Sequence, residues 1–181
     1  LKKVFFGSLI IKSVICIGLA VLCIYSLYPQ AYKEVVYKYA KEYEVDPLLI
    51  YAIMKTESKH NPNAISRSGA KGLMQIMDKT GAWGAEEVAI SNYSHETLFK
   101  PDINIQIGCW YISKLIRQYN EDVDLALAAY NAGSGNIAKW RNNPRYSQDG
   151  KSLSDMPFRE TKLYVKRVKQ HYKVYQFLYR Y

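Results

Sequence analysis

The chain has 181 residues, 49% of them apolar and 23% charged, and carries a net charge of +9. That apolar content excludes a disordered chain, and about 150 residues remain for one packed domain once a hydrophobic N-terminus is set aside. The scattered His60, His95 and His171 form no metal-ligand pattern, and three cysteines, two of them in that N-terminus, make no disulfide framework.

Residues 4–27 follow Lys2 and Lys3 and are apolar apart from Lys12, three serines and Tyr25. As a helix rising about 1.5 Å per residue they can cross a bilayer core of about 30 Å. Lys12 lies near the inner end, where its long stem can carry the charge to the head groups. A cleavable leader needs small residues at its exit, and this one presents Tyr28. Ile15 and Leu22 precede Cys16 and Cys23, where a lipid-attachment cysteine needs a small neighbour. The expectation is an uncleaved, single-pass membrane anchor over residues 1–29, with residues 30–181 on the outer side. A signal sequence is the alternative.

The remainder reads as helices joined by turns. Residues 31–44 are amphipathic, with Val35, Val36, Tyr39 and Tyr43 on one side. Residues 47–58 follow Asp46 as N-cap and open with Pro47 at the first helical position. Residues 103–119 continue the helical period. The next helix starts at an Asp122 or Asp124 cap and stops at Gly133. Residues 134–140 form a short helical turn, and residues 142–157 the longest polar loop. The last helix covers residues 158–179, with Val165, Val168, Tyr172, Tyr175 and Tyr179 in one stripe. No alternating β pattern stands out, so the expected fold class is mainly α, in one domain. From residue 150 to the end, eight Lys or Arg stand against Asp155 and Glu160. That balance favours anionic partners such as lipid head groups, nucleic acid or acidic polymers.

One carboxylate is out of place. On the helix of residues 47–58, Leu49, Ile50, Ile53 and Met54 make the apolar face, and Glu57 shares it. Partial burial would raise its pKa, and a raised pKa is what a general acid needs at neutral pH. A helix that simply ends there, with Glu57 turned to water, is the plainer reading. The sequence that follows favours the first: a polar, Gly-rich turn, then Gln75 set among Leu73, Met74 and Met77. An amide among large apolar side chains is the usual make-up of a binding cleft.

Four short motifs in this order are highly specific. They are Glu57-Ser58, Gly72-Leu73-Met74-Gln75, Ala129-Tyr130-Asn131-Ala132-Gly133 and Glu160-Thr161-Lys162-Leu163-Tyr164-Val165. Over about residues 32–168 the chain resembles the catalytic domain of soluble-type (SLT-domain) lytic transglycosylases, a branch of the lysozyme-like superfamily related to goose-type lysozyme. The resemblance implies a lysozyme-like helical domain that needs no cofactor and no metal. It makes Glu57 the catalytic acid and base and Ser66 the group that polarises the substrate's N-acetyl. It places Gln75 and Met77 along the sugar subsites and Tyr130 and Asn131 beside the reacting sugar; Leu73 and Met74, beside Gln75, offer adaptable apolar surface for substrate. Glu160 and Tyr164 would close the cleft from the last helix. Asp78 departs from the pattern, since many members carry proline there.

Most glycosidases use two carboxylates, and these motifs supply one obvious acid, so the second participant must come from the substrate. The implied reaction cleaves peptidoglycan between N-acetylmuramic acid and N-acetylglucosamine and leaves 1,6-anhydro ends. A goose-type hydrolase is the nearest alternative, and a non-catalytic glycan-binding protein a more distant one. The partners implied are glycan strands, the membrane through the N-terminal helix, and anionic wall polymers or lipids at the basic tail. Nucleic acid is argued against, and a monomer is expected. Trp83, Trp110, Tyr130, Trp140 and Tyr164 are candidates to stack on sugars, with Trp110 better read as core.

Overall fold

The computed structural model describes residues 2–180, with side chains from Lys12 to Arg180. The chain divides into two units, residues 1–31 and residues 32–181. The first is helix α1, Lys2–Leu27. Its side chains from Lys12 to Leu27 are all exposed. Among the described residues no helix is long and apolar enough to cross a membrane. Much of the expected anchor, residues 1–11, lies outside the residues whose side chains are described.

The second unit holds α2 (Lys33–Glu42), α3 (Pro47–Glu57), α4 (Asp78–Glu87), a short 3₁₀ helix (His95–Phe99), α5 (Pro101–Gln118), α6 (Val123–Ala132), α7 (Ser134–Arg141) and α8 (Arg159–Tyr179). Among the described residues there is no extended strand. The nearest approach is a pair of isolated antiparallel bridges, Ile65 with Lys71 and Lys71 with Ile76. The mainly α expectation therefore holds.

Helix α3 is the centre. The Asp46 side chain accepts the Leu48 N–H at 2.8 Å and Pro47 follows, so the first turn is capped as the sequence predicts. Leu48 to Met54 are all buried, which requires neighbours on every side. α8 packs along α3, and α6 packs on both α5 and α8. Tyr51 of α3 stacks on Tyr175 of α8 with ring centroids 5.4 Å apart. The Asp122 side chain caps α6 by accepting the Leu125 N–H at 3.0 Å, and Gly133 ends that helix with φ of 84°.

Helix α4 and the 3₁₀ turn are absent from the sequence expectations. Gly81 and Gly84 lower the helix propensity of α4. Both are dictated by packing: a Cβ on Gly81 would sit 2.1 Å from the Tyr93 hydroxyl, and one on Gly84 2.6 Å from the Ile107 side chain. The bare Gly84 lets α4 sit close to α5, and the bare Gly81 lets it sit close to Tyr93 and the 3₁₀ helix at Leu98.

Candidate active site

Glu57 is the last residue of α3. Its carboxyl pKa is raised from 4.5 to about 7, first by burial. The negative end of the α3 dipole acts in the same sense. Tyr164 and Arg167 oppose the shift, while the charge of Glu160 adds to it. The Tyr164 hydroxyl lies near enough to favour the carboxylate, yet it forms no hydrogen bond of full geometry: its oxygen is buried without a partner.

The chain leaves α3 through Lys59 and His60, both left-handed, with φ of 53° and 66°. Ser58 fixes this exit. Its hydroxyl is 2.8 Å from the Leu73 carbonyl and 3.2 Å from the Met54 carbonyl. The serine of the Glu-Ser pair thus joins the end of α3 to the Gly72–Gln75 turn.

That turn is closed by two backbone bonds of 3.0 Å, each of Lys71 and Ile76 donating to the other's carbonyl. Asn104 of α5, fully buried, knits it together. Its amide donates to the carbonyls of Lys71 (2.9 Å) and Leu98 (2.8 Å), and its oxygen accepts the Met74 N–H at 2.8 Å. Gly72, with φ of 77°, leaves room for this amide: a Cβ there would meet Asn104 Nδ2 and the Leu98 carbonyl at 2.3 Å. Nothing in the local sequence of α5 marks Asn104, because its partners lie outside α5, in the turn about thirty residues earlier and in the 3₁₀ helix.

Two residues expected along the sugars have their side chains packed in the core. Leu73 and Met74 are fully buried. Met74 packs over Gly108 of α5, where a Cβ would come 2.2 Å from its sulfur. Only their backbones serve the site: the Leu73 carbonyl receives Ser58, and the Met74 carbonyl receives the Tyr130 hydroxyl at 2.9 Å.

Gln75 is left-handed, φ 50°, and its amide nitrogen donates to the carbonyls of Ala64 (3.1 Å) and Gly72 (2.9 Å). With both donors committed, its oxygen is what it can offer a ligand. Gln75, Met77, Thr80, Tyr111, Tyr130 and Asn131 line a cleft of about 320 Å³. A second depression, over Ser68 and Gly69, shares Met77 and Thr80 with it. Met77 is 44% exposed between the two.

Ser66 is half-buried, and its hydroxyl oxygen accepts the Ala70 N–H at 3.0 Å, which leaves its proton free to donate. The Asn131 oxygen accepts the Thr161 hydroxyl at 2.9 Å, tying α6 to α8. Glu160 is exposed and Tyr164 buried. The Tyr130 and Tyr164 hydroxyls are pushed well above the ordinary tyrosine pKa by burial, then by the Glu57 charge. Both are therefore protonated donors at any physiological pH. Trp110 and Trp140 are buried, whereas Trp83 is 41% exposed. Asp78 opens α4 and pairs with Lys71 at 2.9 Å, so at this first helical position an acid replaces proline without loss of the turn.

A helical domain with a half-buried acid at the end of its core helix, and a cleft lined by Gln75, Met77 and Tyr130, has the lysozyme-like architecture. Residues 34–153 match the Transglycosylase SLT domain. The soluble lytic murein transglycosylase of Escherichia coli (strain K12) is 35% identical over 152 residues, which are 83% of this chain and 24% of that protein. Membrane-bound lytic murein transglycosylase C of Edwardsiella ictaluri is 36% identical over 124 residues, 60% of this chain and 33% of that protein. The solved 70-kDa soluble lytic transglycosylase of Escherichia coli superposes with a TM-score of 0.75 at 31% identity, covering 86% of this chain and 25% of that one. The chain belongs to the SLT-domain transglycosylase family. It spans about a quarter of the length of the soluble relatives it matches.

Proposed function

We propose that this chain is a peptidoglycan lytic transglycosylase, a lyase that cleaves the β-1,4 bond between N-acetylmuramic acid and N-acetylglucosamine without consuming water. The observation that carries the reading is Glu57, half protonated near neutrality and set against the Tyr130 and Tyr164 hydroxyls. A pKa near ambient pH suits a group that must give a proton and take one back.

Glu57 protonates the bridging oxygen and the bond from C1 to that oxygen breaks. The N-acetyl oxygen of the muramic sugar stabilises the positive charge at C1, with Ser66 holding that acetyl group. The Glu57 carboxylate then takes the proton of the 6-hydroxyl as its oxygen bonds to C1, which closes the 1,6-anhydro ring. Gln75 and Met77 border the sugars, Tyr130 and Asn131 the reacting ring, and Tyr164 and Glu160 the wall on α8. The apolar helix α1 anchors a monomer to the membrane, with the domain facing the cell wall; the exposed side chains of Lys12–Leu27 and a membrane-bound relative support this.

Mass spectrometry of peptidoglycan digested by the full chain in non-ionic detergent tests the reading, with Glu57→Gln as control. Anhydro-muramic ends, one water lighter than hydrolytic ends and absent with the variant, are expected. Reducing ends would instead make the protein a goose-type hydrolase, with Glu160, whose charge reaches Glu57, as the first candidate to hold the water.

A further inference from the structure

A second groove lies apart from the cleft at Gln75 and Tyr130. About 490 Å³ lie between α8, the start of α6 and the loop of residues 153–156. Lys162, Lys166, Lys169 and Lys173 line it. Their spacing of four, three and four residues sets them in one stripe along α8. At 3.6 residues per turn the stripe falls on the flank of α8 away from Glu160, Tyr164 and Arg167. The groove is thus separate from the catalytic face.

Two of the four charges are met. Lys162 donates to Asp155 at 2.7 Å and Lys169 to Asp124 at 2.6 Å. Among the described residues no acid pairs with Lys166 or Lys173. These two stand seven residues apart, about 10 Å along the helix. Leu153, Met156 and Val165 supply apolar wall between the charges.

This mixture selects its ligand. A phosphodiester polymer carries charge on every repeat, whereas Asp124 and Asp155 already neutralise two of the lysines, and it would gain little from the apolar wall. An anionic bilayer is flat, while this site is concave. A short acidic peptide fits both open features: carboxylates about 10 Å apart for Lys166 and Lys173, and small apolar side chains for the wall. We propose that the α8 groove binds the acidic peptide arm of a peptidoglycan strand other than the one being cut, and so holds the enzyme on the wall. The inference rests on the peptidoglycan reading above.

The test measures binding of a fluorescently labelled Ala-γ-Glu-Lys-Ala peptide to the full chain in non-ionic detergent by anisotropy. Charge reversal at Lys166→Glu with Lys173→Glu is expected to weaken binding by roughly tenfold or more, and Lys→Arg at both sites to restore it. Both pairs should cleave peptide-free glycan strands at the parent rate, while the reversed pair cleaves intact walls more slowly. Unchanged peptide affinity in the reversed pair overturns the proposal. So does displacement of the peptide by polyphosphate or phosphatidylglycerol vesicles at lower concentration than by unlabelled peptide. Glu57→Gln should bind the peptide like the parent, so failure of the catalytic reading and failure of the groove are seen separately.

Discussion

Replacing Glu57 by glutamine should abolish cleavage and at the same time stabilise the fold at neutral pH. Burial raises this carboxyl from 4.5 to about 7, so the folded chain binds the proton more tightly than the unfolded chain does. The stabilisation that protonation brings is complete below about 4.5 and is lost as pH climbs through about 7. At about 1.4 kcal/mol per pH unit between the two values, the folded state at pH 8 has lost about 3 kcal/mol. Glutamine is uncharged and of the same shape, so the variant escapes that loss. The measurement is urea unfolding of the full chain in non-ionic detergent, followed by the fluorescence of Trp83, Trp110 and Trp140, all in the helical domain. The variant should match the parent within a few tenths of a kcal/mol at pH 4.5 and exceed it by about 2–3 kcal/mol at pH 8. Equal stability at pH 8, or a gain that does not grow between pH 4.5 and 7.5, would refute the account of Glu57 as a carboxylate raised by burial.

Three further outcomes follow from the same geometry. Tyr164→Phe removes a hydroxyl that favours the ionised form of Glu57, so the pH at which activity declines should move to a higher value while the rate falls. Arg167→Gln should move it the same way with a smaller loss of rate, because the exposed guanidinium acts only through its charge. Asn104→Ala, which removes three hydrogen bonds inside the domain, should cost about 3–5 kcal/mol in the same unfolding assay and lower activity by loosening the Gly72–Gln75 turn.

Much of this molecule can be read from its sequence where one local rule decides the outcome. Asp46 and Pro47 define the start of α3, Asp122 and Gly133 bound α6, and the apolar period places Glu57 on the core face. Legibility falls where distant segments decide. Leu73 and Met74 flank Gln75 in the sequence and are buried in the fold; for Met74 the reason is Gly108, more than thirty residues away, which leaves a space that its sulfur fills. α4 contains two glycines that argue against a helix until the side chains of Tyr93, Leu98 and Ile107 occupy the space they leave. Asn104 is invisible for the same reason: a buried amide matters through its partners, and those come from residues 71–74 and 98.

The polar groups around the reacting centre divide by the pH at which they change state. The Tyr130 and Tyr164 hydroxyls keep their protons far above neutrality. Glu57, by contrast, exchanges its proton near pH 7. A hydrolase needs one group protonated and a second ionised at the same moment, and its rate falls on both sides of an optimum. Ring closure by the substrate's own hydroxyl needs only that Glu57 start protonated, because the carboxylate required for the second step is made by the first. Such a site loses kcat/KM as pH rises through about 7. It has no matching decline from a second carboxylate near pH 4 to 5, the ordinary range for such a group. The exposed position of Glu160 on α8 fits the proposed scheme, which asks no proton of it: its charge helps keep Glu57 protonated.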